Sequence, residues 1–69
     1  MMPDILANRL REARVAAGWT QAELAERVGV SRKTINTVEN GVFVPSTVLA
    51  LKLARASGVS VEGLFSLVE

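Results

Sequence analysis

The chain has 69 residues, 49% hydrophobic and 22% charged, with eight Lys and Arg against seven Asp and Glu for a net charge of +1. That is one small domain over residues 1–69, and a domain of this size buries only about 60% of the surface its unfolded chain exposes. With no cysteine and no histidine it offers no disulfide, thiolate metal site or imidazole base, the Met1–Asp4 start lacks the pattern of a signal peptide, and no apolar run is long enough to span a bilayer.

The first helix is predicted over residues 4–17. Pro3 suits its start, Leu6, Leu10, Ala13 and Ala17 form an inner stripe, and Gly18 stops it. Trp19 is expected to pack against the first two helices rather than stack on a base. Thr20 caps a second helix over residues 21–28, with Glu23 three residues later as a capping box requires. Leu24, Ala25 and Val28 give that helix one apolar face. Gly29 supplies a position free to take positive φ.

Ser31 caps a third helix over residues 32–40, turned inward by Ile35 and Val38 and ended by Gly41. The loop 41–45 is unusually apolar, with Val42, Phe43 and Val44. Ser46 caps a fourth helix over residues 47–56, which Gly58 ends. Ser60 caps a short fifth helix over 61–65, and the tail 66–69 reads as extended. The fold class is therefore all-α, five helices in one domain.

The stretch Thr20–Gly41, TQAELAERVGVSRKTINTVENG, carries the functional signal. Two short helices joined by a tight Gly-containing turn cross steeply, and the second is left exposed on one side. That geometry inserts a helix into the DNA major groove. Ala25 falls at the crossing, where a larger side chain would push the helices apart. Arg32, Lys33, Asn36, Thr37 and Asn40 lie on the outer side of the third helix.

The residue types on that side suit base and phosphate contacts. Arg32 or Lys33 can donate two hydrogen bonds to guanine O6 and N7; Asn36 can bind adenine, and the Thr37 methyl can meet the thymine methyl. Lys33, Asn36 and Thr37 are spaced three and four apart and share a face. Thr34 is placed for a phosphate. Asn40 suits either a helix C-cap or a backbone contact. A net charge of +1 is low for a nucleic-acid binder, but Arg32 and Lys33 meet no acid on their helix until Glu39, and helix N-termini attract phosphate as well.

The same stretch, with PSTVLALKLARASGVSVEGLF after it and LREAR before it, resembles the lambda-repressor-like, Xre/Cro-type helix-turn-helix family over nearly the whole chain. The resemblance implies a phosphate contact for Gln21, base or phosphate contacts at the N-terminal end of the third helix (Ser31, Arg32, Lys33), and a backbone contact for Asn40. It also implies a partly buried salt bridge between Arg14 and Glu39. Each of those charges borders an apolar stripe and needs a partner. Two departures from the family pattern, Ala13 and Thr47 in place of larger aliphatics, predict a thinner core rather than an altered reading surface.

The fourth helix is apolar almost all round, broken only by Lys52 and Arg55. A domain this small cannot cover every face of it, and exposed patches of this kind mark interfaces. Leu53 and Phe65 are assigned to the core. Val48, Leu49, Val61, Leu64 and Leu67 are assigned to a two-fold dimer interface, which the resemblance places around the fifth helix. There the tails are expected to meet as short antiparallel strands.

The resulting expectation is a dimeric, sequence-specific, double-stranded-DNA-binding transcriptional regulator, cytoplasmic and bacterial or phage-borne, simplest as a repressor on a palindromic operator. The competing readings are an antitoxin or restriction–modification controller, and a protein-interaction module of the same fold that does not read DNA. The acid-free opening of the third helix argues against the last. No cofactor, metal, membrane or small-molecule ligand is implied. The carboxylates show no pairing that would build an acid–base site, so an enzyme is not expected.

Overall fold

A computed structural model describes residues 5–68. Along them run β1 (Ile5–Asn8), α1 (Leu10–Ala16), α2 (Gln21–Val28), α3 (Arg32–Glu39), α4 (Thr47–Ser57), α5 (Val61–Leu64) and β2 (Phe65–Val68). Four of the helices start where a short hydroxyl side chain stands. Thr20 Oγ1 accepts from the Glu23 amide at 3.1 Å, and Glu23 Oε1 accepts from the Thr20 amide at 3.0 Å, completing the capping box. Hydrogen bonding to Thr20, its backbone first and then its side chain, holds the Glu23 carboxyl below its ordinary pKa. Ser31, Ser46 and Ser60 accept in the same way from the amides of Thr34, Leu49 and Gly63. Such caps each contribute about 1 kcal/mol.

Gly29 closes α2 at φ 75°, ψ 34°. A β-carbon there would meet nothing within 4 Å, so the demand for glycine is conformational rather than steric. The apolar faces of the helices converge on Leu10, Leu24, Ile35, Val38, Leu53 and Leu64, all fully buried. Ala25 is buried on the face of α2 that packs on α3. Trp19 packs half-buried against this core, as its place between the first two helices predicts.

The N-terminal segment corrects the sequence reading. Residues 5–8 are a strand, and helix begins only at Leu10; the expected start at Asp4 lies outside the described residues. β1 runs antiparallel to β2 with Ile5 opposite Val68, Leu6 opposite Leu67, Ala7 opposite Ser66 and Asn8 opposite Phe65. Leu6 still packs on the core, but from a sheet face rather than a helical stripe. Asn8 marks the break. Its Oδ1 accepts from the Leu10 amide at 3.4 Å and its Nδ2 donates to the Val38 carbonyl at 3.2 Å. The Arg9 amide donates to the Leu64 carbonyl at 2.7 Å. Strand pairing thus satisfies backbone groups that a longer helix would have satisfied internally.

The C-terminal tail forms the expected strand, but its partner is β1 of the same chain rather than a second copy. α5 stops at Leu64 because Phe65 is extended, at φ −128°, ψ 138°. Among the described residues no helix is long and apolar enough to cross a membrane.

Candidate nucleic-acid interface

Ile35 and Val38 turn α3 inward, and this leaves Arg32, Lys33 and Asn36 exposed on its outer side. Among the described residues neither Arg32 nor Lys33 enters an ion pair, and the first turn of α3 holds no acid. Ser31 is engaged locally: its Oγ takes the Thr34 amide at 3.1 Å and lies 3.0 Å from Thr34 Oγ1. Thr37 is half-buried and donates its hydroxyl to the Thr34 carbonyl at 2.9 Å. Its methyl, not its hydroxyl, is the group left for an outside contact. Arg32, Lys33 and Asn36 are thus the freest donors of the helix.

Behind them lies a polar network centred on Glu39, whose side chain is 0% exposed. Arg14 Nε donates to Oε2 at 2.6 Å and Arg14 Nη2 to Oε1 at 3.3 Å. Arg11 Nε and Gln21 Nε2 each donate to Oε1 at 3.2 Å. Burial pushes the Glu39 carboxyl up, but hydrogen bonds from Arg14, Gln21 and Arg11 and the Arg14 charge outweigh it, so its pKa lies below the ordinary value. The bond to Glu39 in turn raises the Arg14 pKa.

The network reaches the outer face of α3. Gln21 Nε2 also donates to Asn36 Oδ1 at 3.2 Å. Asn40 Nδ2 donates to the Asn36 carbonyl at 2.9 Å and to Asn36 Oδ1 at 3.1 Å, while Arg11 Nη2 donates to Asn40 Oδ1 at 3.1 Å. Gln21, Asn36 and Asn40, assigned separately from sequence, therefore form one constellation. The carboxamide of Asn36 is held through its oxygen, which orients its amide group. The sequence reading misses one member: Arg11 sits one turn before Arg14 in LREAR, a spacing that puts both on one face.

The residues assigned to an interface divide. Val48 and Leu67 are each 62% exposed, and Val61 is half-buried. Leu49 and Leu64, at 8% and 1%, belong to the core of the chain itself. Leu49 lies one turn from Leu53 on the inward stripe of α4, and Leu64 closes α5 against that core. The outer apolar surface is instead carried in part by Val44, Val48, Leu51 and Leu67. A mostly apolar groove of about 240 Å³ runs beside it, lined in part by Leu6, Pro45, Leu51, Val61 and Phe65.

Two short helices at this spacing, the second free on its outer side, are what the term helix-turn-helix denotes. The Helix-turn-helix family model matches residues 10–64, and the chain belongs to that family in its Xre, lambda-repressor-like form. It is 41% identical over 64 residues to the HTH-type transcriptional regulator YgzD of Bacillus subtilis, covering 93% of this chain and 97% of that protein. An HTH-type transcriptional regulator of Methanothermobacter thermautotrophicus is 51% identical over 61 residues, 87% of this chain and 88% of that one. Among solved structures, the restriction–modification controller protein C.AhdI from Aeromonas hydrophila superposes with a TM-score of 0.74 at 39% identity, over 78% of this chain and 82% of that one.

Proposed function

We propose that the chain is a single-domain, sequence-specific regulator of transcription that reads double-stranded DNA with α3. The observation that carries this reading is the exposed trio Arg32, Lys33 and Asn36 on one side of a helix whose other side is core, with Asn36 braced by Gln21 and Asn40. Arg32 or Lys33 reads guanine, Asn36 reads adenine through N6 and N7 once Gln21 and Asn40 release its oxygen, and the Thr37 methyl packs on thymine. Gln21, Ser31, Thr34 and Asn40 supply phosphate contacts that set register. The chain has no catalytic role in this reading and acts in the cytoplasm.

Two copies joined through Val48, Leu51, Val61 and Leu67 would cover surface that one copy leaves open. A two-fold dimer places its α3 helices about one DNA turn apart, ~34 Å, on a palindromic operator. Covering a promoter in this way represses it. The likeness to a restriction–modification controller favours a second, narrower reading, in which the regulated genes encode a restriction or modification enzyme.

Selection of random duplexes by the purified protein tests the main reading. Enrichment of one motif in two inverted half-sites is the expected outcome. Recovery of unenriched sequence at physiological salt would remove it. The narrower reading is removed if no restriction or modification gene lies beside the gene for this chain.

A further inference from the structure

Gln21 meets α3 at the start of α2. At the other end of α2 a cleft of about 600 Å³ opens between Trp19, the last turn of the helix, and the second half of α4. Arg27, Lys52 and Arg55 line it against a single acid, Glu26. Three bases against one acid make +2, more than the +1 of the whole chain. Among the described residues none of the three bases enters an ion pair.

Local structure accounts for only part of this charge. Arg55 stands in the last turn of α4 and complements the helix dipole. Lys52 stands mid-helix, three residues before Arg55 on the same side, where like charges repel. No acid occurs anywhere in α4 to offset them. Across the cleft the Arg27 guanidinium lies 4.2 Å from the centre of the Trp19 ring. Stacking of this kind fixes a guanidinium while leaving its N–H edge for a carboxylate. No residue of α3 lines the cleft, and none of the residues assigned to DNA contact does.

We propose that this cleft docks an acidic peptide segment of a partner protein. The three cations are solvent-exposed, and exposed cations hold a lone small anion weakly because water and salt screen them. A segment with several carboxylates meets all three at once, and its apolar side chains find the partly exposed Trp19 and Ala56 on the same walls. The regulator thereby reads DNA on one side and a partner on the other.

Trp19 is the only tryptophan and the chain has no tyrosine, so its emission reports on the cleft in the free protein. A synthetic peptide of alternating Glu and Leu should shift that emission saturably, and added salt should weaken the effect. Lys52→Glu/Arg55→Glu should weaken binding by about tenfold or more, with Lys52→Gln/Arg55→Gln intermediate. Arg32→Ala/Lys33→Ala should bind the peptide as wild type does, and the Gln pair should bind a selected duplex as wild type does. The proposal is overturned if the peptide leaves Trp19 unchanged or binds the Glu pair undiminished. An equal shift from inorganic phosphate would make the cleft an anion site, and loss of duplex binding in the Gln pair would make it a DNA surface; either overturns it too. None of the peptide measurements requires that the chain bind DNA.

Discussion

Arg14 Nε lies 2.6 Å from Glu39 Oε2, tying α1 to the last residue of α3. The carboxylate is fully covered while the guanidinium keeps a small exposed edge. Removing Arg14 alone strands a buried charge that Arg11 and Gln21 only partly satisfy. Arg14→Ala should cost roughly 3–5 kcal/mol in urea denaturation. Arg14→Met/Glu39→Leu should cost less than that single change, because no buried charge is left unpaired. A double variant less stable than Arg14→Ala would contradict the account.

The lowered pKa of Glu39 sets the direction of the acid response. A free glutamate titrates near 4.3, and Glu39 lies lower in the folded chain. Between the two values the unfolded chain holds a proton that the folded chain does not. The stabilisation from Glu39 is complete above the unfolded value and is lost as pH falls through the folded one. Glu23 acts in the same sense from the surface. Urea midpoints measured from about pH 6 down to about pH 2 should fall steeply at the acid end, and Glu39→Gln should flatten that fall.

Lys33→Ala and Arg32→Ala should leave stability within about 0.5 kcal/mol of wild type, as surface changes do. They should weaken operator binding, and the size pattern separates the roles. A side chain bidentate to guanine costs ~1–3 kcal/mol and relaxes one base position, whereas a phosphate contact weakens all sequences evenly and lowers the salt slope by about one. If both variants bind as wild type does, α3 is not the reading helix.

Assembly is best tested at Leu67, not at the buried Leu64. Leu67→Glu changes an exposed side chain and should give folded monomers with weaker operator binding. Leu64→Glu places a carboxylate in the core and should unfold the chain. Sedimentation showing that wild type and Leu67→Glu share one monomeric mass at tens of micromolar would remove the dimer.

Gly29→Ala isolates the turn. With open space around the added methyl, only the left-handed backbone is penalised, at about 1–2 kcal/mol. Gly29→Asn should cost less, because asparagine tolerates that conformation. Equal melting of all three proteins would contradict the assignment.

The helix-turn-helix was legible because its signals are local. Thr20, Glu23, Gly29 and Ser31 fix their own backbones within a few residues, and the boundaries of α2 follow from them. The Arg14–Glu39 pair was legible through the family resemblance; the pattern alone says only that each charge beside an apolar stripe needs a partner. β1 was not, because Leu6 and Leu10 satisfy a helical period equally well; the strand exists through hydrogen bonds to residues some sixty positions away, which no local pattern reports. Leu49 and Leu64 were misplaced for a related reason. On α4, with apolar residues on nearly every side, and on α5, a single turn, periodicity does not say which face the rest of the chain covers.

The pairing of Ile5 with Val68 also bears on the order in which the molecule comes together. α2 and α3 meet across a four-step turn, whereas β1 and β2 meet only when a loop of nearly the whole described chain closes. Closing that loop carries an entropy cost set by its length before any ladder bond forms, and contacts of such long range are slow to form. The helical pair should therefore assemble early and the two-stranded ladder last. During synthesis β1 therefore has no ladder partner until β2 has left the ribosome. Hydrogen exchange should find the amides of β1 among the first to open and those of the buried stretch of α2 among the last.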